Sequence, residues 1–147
     1  MSAQLVATHR EGAEVYTGED LCRQKSIELL EELHFPKGLL PLDDFVEVGY
    51  NRGTGFVWLT QKKSKEHTFK KIGKKVSYAT EVTAFVEDRR MKKLTGVKSK
   101  ELLIWVAISD IYIDDPSSGK ISFANATTGI ARTFPVSAFE LEVAEKK

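Results

Sequence analysis

"FVEVGYNRGTGFVWLTQ", residues 45–61, decides the fold class. Phe45, Glu47 and Gly49 alternate with Val46, Val48 and Tyr50, the period of two that sends neighbouring side chains to opposite faces of a strand. "NRGTG" (51–55) supplies turn residues and "FVWLTQ" (56–61) runs on as a second strand. The stretch therefore predicts a β-hairpin.

Towards the C-terminus the same signal repeats. "HTFKKI" (67–72) reads as a third strand turned by Gly73, and "KVSYATEVTAFVE" (75–87) as a long, β-branched fourth. "MKKLTGV" (91–97) comes after a turn at "EDRR". "ELLIWVAISDIYI" (101–113) is apolar on both faces in its first half, which predicts a central strand, or one in a barrel wall covered by the helix, with Ile104 and Val106 buried. "DDPSSG" (114–119) is a turn cluster, "KISFANA" (120–126) and "GIARTFP" (129–135) a last hairpin, and "VSAFEL" (136–141) a short helical turn.

Towards the N-terminus the period changes. Cys22, Ser26, Leu29, Leu30 and Leu33 share one helical face, while Gln24, Lys25, Glu28, Glu31 and Glu32 take the other. Thr17 reads as the N-cap of one substantial helix over 18–34, with Glu19 and Asp20 suited to its first turn. Pro36 disfavours helical geometry at Phe35 and ends it. In "HFPKGLLP" (34–41), Gly38 lets the chain reverse and Pro41 stiffens the entry to the first strand. Leu39 and Leu40 then read as a plug closing one end of the core, with a ligand-contacting lip as the alternative.

These elements predict a mostly β protein, an antiparallel β-sandwich or barrel-like domain with one N-terminal amphipathic helix. Residues 15–141 form a single domain, 1–14 a flexible N-terminus and 142–147 a frayed tail. A chain of 147 residues suits one core. No stretch approaches the roughly 18 apolar residues of a spanning helix, and no secretory signal opens the chain. Its one cysteine, Cys22, excludes an intrachain disulfide and fits a reducing compartment. The expected address is cytoplasmic, with peripheral association with membranes.

In combination, "PKGLLP", "VEVGYNRGTGFVWL", "KVSYATEV", "KLTGVKSKELLIWV" and "DPSSGKISF" resemble the plant domain-of-unknown-function family 538 over about residues 15 to 140. "EVYTGEDLCRQKS" and "VKSKELLIWVAISDIY" look most like its soluble branch, which includes a regulator of trichome size and branching. The resemblance implies a fold similar to the lipid-binding half-domains of bactericidal/permeability-increasing protein. It also implies binding of amphipathic lipids or hydrolysis of chlorophyll, and a regulatory role in plant growth.

The net charge of +1 conceals segregation: residues 62–100 hold 13 basic and 4 acidic side chains, against 5 and 10 in residues 1–61. Lys62, Lys63, Lys65, Lys70, Lys71, Lys74 and Lys75 are the densest part. On a hairpin, Lys62 and Lys63 would lie across from Lys74 and Lys75 and make one basic rim, suited to an acidic headgroup. Lysines that guard a sheet edge are the plainer reading. Phe69 and Tyr78 near these lysines also suit base stacking, but the chain's pI of about 7.8 argues against a dedicated nucleic-acid binder.

Catalytic components are sparse. No G-x-S-x-G elbow is present, and no catalytic residue is assigned; of His9, His34 and His67, His67, at a strand start near the lysines, is the least implausible base for an esterase. Ser117 and Ser118 sit in a turn. No Cys/His pair has metal-ligand spacing, and no cofactor is implied. Trp58 and Trp105 read as core residues, or as cavity lining for an acyl chain or tetrapyrrole.

The sequence thus points to a non-enzymatic binding module for an amphipathic anionic lipid or tetrapyrrole. Leu39, Leu40, Trp58 and Trp105 would take the apolar part and the lysines the head. A chlorophyll-directed carboxylesterase and a protein–protein adaptor are the alternatives.

Overall fold

A computed structural model describes residues 2–141. Helix α1 (Ser2–Arg10) and strand β1 (Glu14–Thr17) precede helix α2 (Glu19–Glu32). Eight strands come after it: β2 (Phe45–Asn51), β3 (Phe56–Gln61), β4 (Lys65–Phe69), β5 (Lys74–Glu87), β6 (Arg90–Glu101), β7 (Ile104–Tyr112), β8 (Lys120–Asn125) and β9 (Ala131–Pro135). A 3-10 turn at Val136–Phe139 matches the helical turn expected there. The frayed-tail expectation for 142–147 lies outside the described residues.

All strands belong to one antiparallel sheet in the order β1-β2-β3-β5-β6-β7-β8-β9, with β4 paired to β5 off that path. The sheet is not closed into a barrel. The hairpin expected at 45–61 is present as β2–β3, from Phe45 opposite Gln61 to Asn51 opposite Phe56. β5 is long enough to serve two partners. Its first half pairs with β4 (Lys65 opposite Tyr78) and its second with β3 (Phe56 opposite Phe85). The register with β6 shifts between Tyr78 and Thr83, and there Gly96 has φ +84°, with room for no side chain because a Cβ would lie 2.3 Å from the Glu81 carbonyl. Such a bulge bends a strand and increases its twist.

The main core lies on one face of the sheet, here the inner face. Leu29, Leu30 and Leu33 of α2 pack there with Val48, Val76, Tyr78, Val97, Ile111, Phe123 and Phe139. α2 begins at Glu19 with Gly18, not Thr17, at the N-cap and with no side-chain cap bond. It ends in a Schellman-type turn: His34 has φ +66°, its N–H donates to Glu31 O and that of Phe35 donates to Leu30 O at 2.8 Å. The 39–40 connector is a plug, as the plainer reading held. Leu39 and Leu40 are buried, Gly38 N–H donates to Phe139 O at 2.8 Å, and the Tyr78 hydroxyl donates to Leu39 O at 2.9 Å.

Three expectations need correction. The sequence predicts no element in residues 1–14, yet α1 lies across the outer face, with Val6 buried against Phe56 and Trp58 and His9 stacked on Phe56 at 4.6 Å. α1 has just two large apolar side chains, Leu5 and Val6, and they are adjacent, so no helical repeat marks it in the sequence; the sheet supplies its partner. The start of "ELLIWV" is not doubly covered: β7 does lie inside the sheet, between β6 and β8, but β6 and β7 turn at Leu102–Leu103, and Leu102, Leu103 and Ile104 are 95%, 91% and 64% exposed. Val106 is half-buried. Apolarity on both faces suggested cover from both sides, but the sheet ends before this segment does. Finally, Lys62 and Lys63 do not face Lys74 and Lys75. They precede β4 at its Lys65 end, whereas Lys74 is opposite Phe69 at the other end, four residues or roughly 13 Å away.

Candidate functional site

The inner face holds a cavity of about 220 Å³ near one end of the sheet. Its apolar lining comes from alternate positions of four strands, including Val76 of β5, Val106 and Ile108 of β7, Phe123 of β8 and Phe134 of β9, with Phe139 from the C-terminal turn. Period-two alternation aims the strand residues among these inward. Phe123, Phe134 and Phe139 pack against one another with ring centroids 5.2–6.3 Å apart.

One wall is polar. Lys74 Nζ donates to Glu101 Oε2 at 3.0 Å, Arg132 Nη1 donates to Glu101 Oε1 at 3.0 Å, and Ser99 Oγ donates to Oε2 at 3.3 Å. Two cations on one carboxylate leave a net positive charge beside an apolar cavity. Lys74 is largely shielded and Arg132 is open to solvent, so Arg132 can swing to a new anion more easily than Lys74. The segments 70–73, 102–103 and 126–130 gather at this end, because β4, β6 and β8 all run towards it.

The lysine cluster read from the sequence is divided. Lys74 is the one member lining the cavity. Lys65 pairs with Asp43 at 2.8 Å, Lys75 with Glu66 at 3.7 Å, and Lys71 donates to Ser137 O at 3.4 Å. Lys62, Lys63 and Lys70 are exposed. Neither tryptophan lines the cavity. Trp58, fully buried, lies in the outer-face cluster under α1, its Nε1–H donating to Glu47 Oε1 at 3.1 Å. Trp105 is half-buried on the outer face, with Lys100 Nζ 5.5 Å from its ring. Leu39 and Leu40 belong to the core rather than to the cavity lining.

Glu101, Arg132 and the three phenylalanines carried no motif in the sequence. Their only signal was inward alternation on strands whose pairing the sequence does not state.

His67 sits on β4 with its ring 4.7 Å from that of Phe69. His34 Nδ1 lies 2.6 Å from Asp88 Oδ1, a hydrogen bond that holds the Asp88 carboxyl below its ordinary range. The groove beside this pair is lined by Arg89, Ile113, Pro116, Gly119 and Val136, none of which carries a hydroxyl or thiol. A histidine and a carboxylate are thus joined there without a nucleophile in the lining. Cys22 is buried, and burial pushes its thiol up, away from nucleophilic use. No helix among the described residues is long and apolar enough to cross a membrane.

No curated protein and no solved structure matches the chain. A family profile described as "Protein of unknown function, DUF538" matches residues 26–140, a span that holds the second half of α2, β2 to β9 and every wall of the cavity. The chain belongs to that family.

Proposed function

We propose that the protein is a non-enzymatic binding module that takes the apolar part of an amphipathic anionic molecule into the β5–β9 cavity and holds its head against Arg132 and Lys74. The observation that carries this reading is the apposition of an aromatic and aliphatic lining to a Lys74–Glu101–Arg132 cluster with two cations for one carboxylate. An incoming carboxylate or phosphate takes over the Arg132 guanidinium, while Lys74 keeps Glu101 neutralised. The cavity, at about 220 Å³, lies below the roughly 300–1,000 Å³ common for pockets that enclose whole drug-sized ligands. That favours an acyl chain over a tetrapyrrole macrocycle. The family resemblance implies a fold similar to lipid-binding half-domains, which suits the same class, and the resemblance to the trichome regulator's branch suits a regulatory carrier or sensor.

Titration with cis-parinaric acid tests the reading. The wild type should give saturable, one-to-one enhancement of emission. Val106→Trp, which fills the cavity from a half-buried position, should abolish it, and Arg132→Gln should weaken it about tenfold, a salt-bridged hydrogen bond to an anion being worth roughly 1.5–3 kcal/mol. Circular dichroism should be unchanged in both. Uptake undiminished in Val106→Trp would place the ligand elsewhere. Repeated turnover of a nitrophenyl ester, lost in His67→Ala, would replace the carrier with an esterase.

A further inference from the structure

The β6–β7 hairpin tip has no role in the cavity and is costly to the fold as it stands. Leu102, Leu103 and Ile104 are together the most exposed large apolar group among the described residues. Leu102 also has φ +56°, a left-handed turn position that Asn or Gly occupies at less cost. The tip projects: β7 pairs with β8 only as far as Ile108 opposite Asn125, with one further bond from Ala126 N–H to Ala107 O. Three residues, roughly 10 Å of strand, extend beyond that last bond.

Its surroundings are basic. Lys98 and Lys100 lie on the outer face of the same hairpin, and the β6–β5 register that sets Ser99 opposite Val76 brings Lys75 beside Lys100. Lys70 and Lys71 occupy the β4–β5 turn at the same end of the sheet. The acids there are already engaged, Glu101 by Lys74 and Arg132, and Glu66 by Lys75. Trp105, half-buried beneath Lys100, stands one residue behind the apolar tip.

The geometry points to this tip as a membrane anchor: Leu102, Leu103 and Ile104 insert into the headgroup–acyl boundary of an anionic bilayer, Trp105 lies at headgroup level, and the flanking lysines meet the lipid charge. Convex apolar residues ringed by cations fit a fluid anionic surface, and an indole behind them suits the interfacial zone. The occupant is the bilayer rather than a second copy because the tip is a narrow projection, and the positive charge around it repels its own image. Glu101 and Ile130 line the cavity at this end, so an anchored molecule has its cavity beside the lipid. That consequence rests on the binding-module reading, whereas anchoring does not.

Co-sedimentation of the full chain with phosphatidylcholine vesicles, with and without phosphatidylserine, tests the anchor. The wild type should partition onto the anionic vesicles, and brominated lipid should quench Trp105 while buried Trp58 stays bright. The double variant Leu102→Ser/Leu103→Ser, altered only at exposed positions, should lose partitioning more than about tenfold. Lys98→Gln/Lys100→Gln should weaken it roughly fivefold per lysine at low salt. Val106→Trp should sediment like the wild type while failing to take up cis-parinaric acid, so failure of the anchor and failure of the cavity separate. Equal sedimentation of wild type and double serine variant overturns the anchor. So does a wild-type dimer in gel filtration that the double variant makes monomeric, with no binding to vesicles.

Discussion

Gly49 and Trp58 stand directly opposite each other in the β2–β3 ladder, and a Cβ on Gly49 would lie 2.1 Å from Cζ2 of the indole. The glycine is there to let the Trp58 ring lie across its own neighbour strand. Gly49→Ala should therefore destabilise the protein by about 1–3 kcal/mol, lowering Tm by several degrees. In a Trp58→Leu background the same substitution should cost much less, a coupling that a double-mutant cycle measures. Equal costs in the two backgrounds would show that the clash is with the backbone.

Leu29 and Ile104 separate the two halves of the sequence reading. Both are expected in the core from their patterns. Leu29 is there, and Leu29→Ala should cost about 2–5 kcal/mol in urea unfolding. Ile104, exposed at the tip, should lose no more than about 0.5 kcal/mol as Ala. A large loss at Ile104 would mean that the tip packs against something in the isolated protein.

Tyr78→Phe removes the hydroxyl that donates to Leu39 O and leaves that buried carbonyl short of a partner. The expected loss is about 1–3 kcal/mol. The same burial raises the Tyr78 phenol far above its ordinary range, so its absorbance should not titrate until the protein unfolds in alkali. Titration of all four tyrosines below the unfolding transition would show that the connector opens.

Acid should release α1. Arg10 donates to both oxygens of Glu47, at 2.9 and 3.0 Å, and Trp58 Nε1–H donates to one of them. These bonds hold the Glu47 carboxyl below its ordinary value of 4.5. Because the folded value is the lower one, the stabilisation is fully present above about pH 4.5 and is lost as pH falls through the folded value. The Tm gap between wild type and Glu47→Gln should accordingly be constant near neutrality and close in acid. A gap that persists unchanged to low pH would assign it to packing.

Residue order alone was enough to state the hairpin at 45–61, the α2 face of Leu29, Leu30 and Leu33, and the end of that helix before Pro36, because each is set by neighbours a few positions apart. The long β-branched strand after Gly73 and the short turn at Val136–Phe139 were legible for the same reason. Tertiary structure decided what depends on pairing. α1 owes its place to a sheet face, which its own weak apolar pattern does not announce. Register separated Lys62 and Lys63 from Lys74, took Trp58 and Trp105 away from the cavity, and brought Glu101 between Lys74 and Arg132 from three strands. The tip at Leu102–Ile104 shows the limit most plainly: an apolar run states that a segment avoids water, and only the position where its neighbouring strands stop determines whether protein covers it.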